Sequence, residues 1–422
     1  IIRIYLKNNN CAQMNNYFNL LRGVCLGVIE IVDGIYHVGV DDKKTKFFES
    51  IWPIPEGISY NAYLIVDDKV ALIEGGVKQD FSREFLKKLE SIIDLDELDY
   101  IIVNHMEPDH TGTLPLLYKM AKRAKIIISK MGKRMLKSFY GIEDEERIIT
   151  VSDFDELSLG KRKLKFIMTP GVHWPETMMT YEERSKILFS SDAFGTYGSL
   201  DGSLFDSEVD LEVFLERAKR YFVNIVGMYA IQAKNALKKL SKFEIRIIAP
   251  SHGPIWKEHI KLILDLYTKL TSKEEEAKVL IVYGSMYGFT EEAVEVMARL
   301  LKENGIKTII YNATYVHPSY SLSEAWDSKI IIFAFPTYDA GPFIPVYTTA
   351  YYIIRKNIMN KKFAILGSYG WSGKGYMELV RMLEAKKWKL IEPIIECNGK
   401  VKKDDLEKIK ELVEKIIKEV KA

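Results

Sequence analysis

Two hydrophobic rhythms divide this 422-residue chain. In the first, short apolar stretches are broken by turns. Gly34-Ile-Tyr-His-Val-Gly-Val and Tyr60-Asn-Ala-Tyr-Leu-Ile-Val carry β-formers, and Asp67-Asp68-Lys69 is a turn before Val70-Ala-Leu-Ile, so 35–80 reads as hairpins. Phe81, Phe85 and Leu89 recur at helical spacing and predict a helix over about 81–92. Tyr100-Ile-Ile-Val predicts a strand, followed by a polar loop from Asn104. Strands follow at Lys163-Leu-Lys-Phe-Ile-Met, Ile187-Leu-Phe-Ser and Ile245-Arg-Ile-Ile-Ala, with 211–241 helical. The polar stretch Thr271-Ser-Lys-Glu-Glu-Glu-Ala-Lys278 marks the change of rhythm. Beyond it Val279-Leu-Ile-Val, Ile330-Ile-Ile-Phe and Phe363-Ala-Ile-Leu are fully apolar strands. They alternate with helices near 290–303, 343–356 and 375–386, and a last amphipathic helix covers about 403–420. That is the rhythm of a doubly wound parallel sheet.

The length suits two domains, and 47% hydrophobic with 28% charged residues describes a folded chain. The reading divides it into an unassigned extension and first strand region at 1–34, a domain at 35–273 and a domain at 274–422. Lys+Arg 60 against Asp+Glu 58 leaves a net charge of +2, which offers no basic field for nucleic acid. The apolar run 20–32 contains Arg22 and Glu30, too short and too charged to span a bilayer, so no membrane role is expected. Three cysteines, Cys11, Cys25 and Cys397, make no disulfide framework and no Cys-x-x-Cys site, and point to a reducing cytoplasm. The chain starts at Ile1, and residues 1–22 are given no function.

The richest chemistry lies in Asn104-His105-Met106-Glu107-Pro108-Asp109-His110. Four metal-competent side chains fall within six residues just after a strand, where a loop can aim them at one point. His173 in Thr169-Pro-Gly-Val-His-Trp-Pro, Asp192 in Ser190-Ser-Asp-Ala-Phe and His252 in Pro250-Ser-His-Gly-Pro each follow an apolar strand. Of seven histidines, four occupy these places. A lone loop histidine is more often hydrogen-bonded than ligating; four in register with three carboxylates favour metal. Three carboxylates and four imidazoles are a harder, more anionic set than an all-histidine zinc site. They offset most of the charge of two divalent ions, which suits iron in redox work.

The order His-x-Glu-x-Asp-His, then His, Asp and His, resembles the metallo-β-lactamase superfamily. Glu107 at the second place, the His173-Trp-Pro-Glu-Thr-Met context and the domain that follows resemble the flavodiiron proteins over nearly all of 35–420. The resemblance implies an N-terminal αββα sandwich and a flavodoxin-like C-terminal domain, an α/β and α+β chain. It implies one iron held by His105, Glu107 and His173, a second by Asp109, His110 and His252, and Asp192 bridging both. Glu74 in Ile73-Glu74-Gly75 departs from the Asp of many relatives and is expected to affect packing rather than metal.

A second constellation lies in the C-terminal half. Ser285, Met286, Tyr287, Gly288, Phe289 and Thr290 join a strand to a helix, a hydroxyl-rich loop at a helix N-terminus that suits a phosphate. The plainer alternative is Thr290 as an ordinary N-cap. Pro336, Thr337, Tyr338, Asp339 and Gly341 follow the 330–335 strand, and Ser368, Tyr369, Gly370, Trp371 and Gly373 follow the 363–366 strand. Ligands bind at such carboxyl edges, and Tyr287, Tyr338, Tyr369 and Trp371 could stack on an isoalloxazine ring. The first loop resembles the flavodoxin phosphate loop and implies FMN. The chain has neither Gly-x-Gly-x-x-Gly nor Gly-x-x-x-x-Gly-Lys-Ser/Thr.

Together the resemblances imply electrons passing from a donor, rubredoxin or a reduced deazaflavin, through FMN to two iron ions and on to dioxygen or nitric oxide. They also imply a head-to-tail homodimer or a dimer of dimers. The alternatives are a zinc hydrolase fused to a flavodoxin-like domain and a non-catalytic flavin-dependent sensor or carrier. Trp174, Phe194 and Tyr197 flank ligand positions, as pocket lining or as core; His259 and His317 lie outside the motifs.

Overall fold

The computed structural model describes residues 27–421; the readings of the extension before residue 27, with Cys11 and Cys25, fall outside the described residues. The chain forms two compact units. Among the described residues the first ends at Phe222 and resumes over Tyr229–Thr268; the second comprises Val223–Met228 and 269–421.

In the first unit two sheets face each other. One orders Ile29–Val32, Ile35–His37, Tyr63–Val66, Val70–Ile73, Leu98–Val103, Lys125–Ser129 and Ile148–Val151. The other orders Glu156–Ser158, Lys163–Met168, Met178–Glu182, Ile187–Ser191 and Ile247–Pro250. Ile65, Ile73 and Ile102 of the first sheet and Phe166, Phe189 and Ala249 of the second share one buried core. Helices Ser82–Glu90 and Lys130–Tyr140 turn Phe85, Leu89 and Leu136 inward, the first two at the spacing that predicts their helix. This is the αββα sandwich.

The second unit is a parallel sheet in the order Lys307–Asn312, Glu276–Tyr283, Ser328–Tyr338 and Lys362–Tyr369, with Lys389–Leu390 and Ile395–Asn398 beside the last. Val279, Ile281, Ile330, Ile332, Ala364 and Leu366 are buried, which is why these strands read as unbroken apolar runs. Helices Phe289–Glu303 and Lys403–Lys421 bury Met297, Leu301, Leu412 and Ile416 against the same core.

Several elements depart from the reading. Residues 211–241 form two helices, Leu211–Tyr221 and Ala230–Leu240, joined by a π turn at Phe222–Val226 and a 3-10 turn at Gly227–Tyr229. The polar stretch at 271–278 is mostly regular structure: Thr271 and Ser272 end the helix Ile260–Ser272, and Glu276 opens a strand. The helix Pro318–Asp327 carried no periodic signal because it is rich in serine.

Candidate metal centre and flavin site

The loop Asn104–Glu107 leaves the strand Leu98–Val103 and enters a one-turn helix, Pro108–Thr111. Glu107 is its N-cap and Pro108 its first residue, where a fixed φ and a missing N–H cost nothing. Asp109 and His110 therefore project from a helical turn, where the sequence reading had a loop. Asp192 follows the strand Ile187–Ser191, and His252 follows Ile247–Pro250 with Gly253 at φ +81 behind it.

All seven side chains converge. His105 Nε2 lies 3.2 Å from Glu107 Oε2 and 3.2 Å from Asp192 Oδ2. His173 Nε2 lies 3.0 Å from Glu107 Oε2 and 3.3 Å from Asp192 Oδ2. On the other side His110 Nε2 is 3.1 Å from Asp192 Oδ1 and 3.4 Å from Asp109 Oδ1. His252 Nε2 is 3.2 Å from Asp192 Oδ1 and 3.4 Å from Asp109 Oδ2. Donors each about 2.1 Å from a shared ion are separated by roughly this much. One oxygen of Asp192 faces each half, so the seven residues form two clusters that share a carboxylate.

The outer partners orient the donors. His105 Nδ1 is 2.7 Å from Glu176 Oε1, and His252 Nδ1 is 2.7 Å from the Ser59 carbonyl oxygen. A proton on each Nδ1 leaves the Nε2 lone pair facing inward, the usual arrangement behind a ligating imidazole. Tyr221 donates its hydroxyl to Asp192 Oδ1 at 3.0 Å.

Electrostatics point the same way. Burial alone would lower the His252 and His173 imidazoles, yet Asp109 and Asp192 lift His252 to about 10, and Asp192 and Glu107 lift His173 to about 9. Burial would raise the Asp192 carboxyl, but the imidazoles of His110, His173 and His252 hold it well below the usual range. The site demands positive charge. Among the described residues both Asp109 oxygens, Asp192 Oδ2, His110 Nε2 and His252 Nε2 are buried without a hydrogen-bond partner. Buried acceptors in that state fit metal coordination, and the mixed histidine and carboxylate donors fit an iron pair.

A cleft of about 1190 Å³ opens onto Glu107 and Asp109. Its walls include Phe48, Tyr60, Phe139 and Tyr140, with Lys78 and Lys119 also lining it. Phe48 and Tyr60 set their rings edge-on to His252, at 5.3 and 5.7 Å. Trp174 packs edge-on to His105 at 5.0 Å, Phe194 on Tyr267 at 4.4 Å and Tyr197 on Tyr221 at 5.1 Å, so these three support ligands and core. Glu74 is buried and accepts from Asn104 Nδ2 at 2.9 Å, bracing the start of the ligand loop. His259 sits near Asp206, and His317 caps the helix Pro318–Asp327.

In the second unit the three predicted loops lie at the carboxyl ends of adjacent strands. Ser285 Oγ accepts from the Gly288 N–H at 3.0 Å, and Gly288, at φ +89, is the N-cap of Phe289–Glu303. Thr290 is thus inside the helix and not its cap; its hydroxyl meets Ser368 Oγ at 2.8 Å, joining the first loop to the third. Pro336, Thr337 and Tyr338 end their strand, Asp339 and Ala340 adopt left-handed backbone, and Gly341 turns back to pair with Tyr338. Ser368 is buried, Tyr369 half-buried, and Gly370 and Trp371 exposed, with Gly373 half-buried. Tyr287 is 83% and Trp371 96% exposed, too much for core packing. Met286, Phe289 and Tyr338 are exposed beside them. Open backbone at Gly288 and Gly370, a helix N-terminus and unburied aromatic faces fit a phosphate-bearing flat ring system.

Sequence reasoning missed Glu176, Tyr221, Ser59 and Phe48. Glu176 stood inside the quoted His173 motif and could have been found there. Tyr221 and Phe48 carried no signal beyond their apolar character.

Both units are similar to those of known proteins. Residues 58–253 match the ODP family beta lactamase, and residues 281–415 match flavodoxin. The chain is 32% identical to a nitric oxide reductase of Moorella thermoacetica over 92% of its own length and 98% of the relative's. It superposes on the rubredoxin oxygen:oxidoreductase of Desulfovibrio gigas with a TM-score of 0.89 at 29% identity, over 93% of this chain and 98% of that one. The flavodiiron protein of Giardia intestinalis gives a TM-score of 0.88 at 28% identity, with the same coverage of each chain. With its di-iron-type metallo-β-lactamase-like unit and its FMN-type flavodoxin-like unit, this chain belongs to the flavodiiron proteins.

Proposed function

We propose that this oxidoreductase reduces dioxygen, nitric oxide or both at a di-iron centre formed by His105, Glu107, Asp109, His110, His173, Asp192 and His252. In this reading the loops at 285–290, 336–341 and 368–373 would hold FMN. The observation that carries it is Asp192, with one oxygen in each ligand cluster. Iron held there would supply the redox chemistry, and FMN would supply electrons singly.

The chain's own residues do the rest. Glu176 and the Ser59 carbonyl fix the tautomers of His105 and His252. Tyr221 holds a proton on the bridging carboxylate's side of the site, which matters because both reductions consume protons. Phe48, Tyr60 and Phe139 make the approach apolar enough for a gas. The donor is rubredoxin or a reduced deazaflavin, the assembly a head-to-tail homodimer or pair of dimers, and the compartment the cytoplasm. Rubredoxin as donor is supported by the name of the Desulfovibrio gigas neighbour, and the compartment by the sparse cysteines. Among the described residues no helix is long and apolar enough to cross a membrane.

Anaerobic turnover with each gas, driven by chemically reduced flavin, tests the proposal. Iron-dependent consumption of either gas is expected. Stoichiometric zinc with hydrolysis of a thioester or lactam would replace it with the hydrolase reading.

A further inference from the structure

A carboxylate outside every loop motif ties the flavin loops together. Glu396 lies half-buried on the strand Ile395–Asn398, which runs parallel to Lys362–Tyr369. Both of its oxygens accept from the Lys374 backbone N–H, at 2.9 Å each. Oε1 also accepts the Thr337 hydroxyl at 3.4 Å, and Thr337 Oγ1 accepts from the Gly375 N–H at 3.1 Å. One side chain thereby links the carboxyl end of the strand Ser328–Tyr338 to the loop after Lys362–Tyr369.

The backbone at this junction is strained and crowded. Lys374 sits at φ +71, Asp339 at +46 and Ala340 at +58, left-handed conformations that non-glycine residues keep only where their surroundings enforce them. A Cβ at Gly375 would lie 2.4 Å from the Gly341 carbonyl oxygen and 2.7 Å from Thr337 Oγ1. A Cβ at Gly373 would lie 2.9 Å from Glu396 Oε2. Glycine at both places lets the two loops close and lets the carboxylate reach the Lys374 amide. The charge-assisted bond is the enforcing contact.

We infer that Glu396 is a positioning residue for the flavin, holding segment 373–375 in its receiving form and setting a negative charge beside the loops that take up the ring. The inference rests on the reading of these loops as the FMN site. A fixed negative charge there disfavours the anionic, fully reduced ring, so the residue tunes potential as well as affinity.

The test uses the full-length protein stripped of flavin and titrated with FMN by fluorescence quenching, then reloaded for reductive titration. Glu396→Ala is expected to weaken FMN binding about tenfold or more. Glu396→Gln keeps an acceptor oxygen and is expected to recover part of that affinity. Both variants should shift the couple leading to fully reduced flavin to higher potential, which a merely structural role would not do. Gly373→Ala, which pushes the carboxylate aside, is expected to weaken binding as Glu396→Ala does. Wild-type affinity and wild-type potentials in Glu396→Ala and Glu396→Gln would overturn the inference. Failure of the wild-type protein to take up FMN would overturn the FMN reading itself.

Discussion

Glu176 shows how much of the metal centre depends on residues that touch no metal. Its Oε1 lies 2.7 Å from His105 Nδ1 and 3.0 Å from the Met106 backbone nitrogen, so one carboxylate aligns both the ligand and its loop. Glu176→Gln is expected to lower metal affinity about 10- to 100-fold with the fold intact, read by chelator competition. The seven converging side chains were legible as a set, because four histidines and three carboxylates reinforce one another where a lone histidine says little. Tyr221 and Ser59 were not, because each acts on a partner distant in sequence. His37 was read only as part of a strand. Burial pushes its imidazole down to about 4, with the Asn61 bond opposing and the Lys88 charge assisting. A depressed imidazole is neutral in both folded and unfolded chains above about pH 6.5, so its stability contribution is whole there. As pH falls from about 6.5 towards 4 the unfolded chain takes up the proton first, and roughly 3 kcal/mol is lost. His37→Gln, which can still donate to Asn61, is expected to flatten that decline in urea unfolding at pH 7 and pH 5.

At the scale of elements, the tight turn after Ile247–Pro250 delivers His252. Gly253 accepts Asn61 Nδ2 on its carbonyl at 2.8 Å and donates its N–H to Ser59 Oγ at 2.7 Å. At φ +81 a Cβ would also meet Thr196 Oγ1 at 2.1 Å. Gly253→Ala is expected to cost at least about 1–3 kcal/mol in unfolding and to weaken the His252 side of the metal pair. The parallel strands and their helices were legible because burial on both faces imposes long apolar runs. The helix Pro318–Asp327 was not, since Ser319 and Ser321 are fully buried and serine composition reads as loop. The stretch around Lys278 is polar for a different reason. Lys278 is buried against Asp327 at 2.6 Å and Glu324 at 2.7 Å, so a polar sequence hides an ion-paired strand start.

For the whole molecule, turnover requires a flavin site and a metal site within reach of each other. In the proposed head-to-tail homodimer one two-fold interface serves both pairs at once, FMN of each chain facing the metals of its partner. A chain carrying Ser285→Glu is expected to lose FMN, and a chain carrying His105→Ala to lose one side chain of a metal cluster and weaken it. Each is expected to be inactive alone and to regain part of the activity when the two are dissociated and reassembled together. No recovery in verified heterodimers would place electron transfer within one chain.

The central claim is that Asp192 joins two irons into one redox unit. It is tested most directly by mixing anaerobically reduced protein with dioxygen or nitric oxide in a stopped-flow instrument and following flavin reoxidation in wild type and Asp192→Asn. Metal-dependent reoxidation in the wild type, far faster than that of free reduced FMN and lost in Asp192→Asn with FMN retained, is the predicted result. Equal rates in the two proteins would contradict the account.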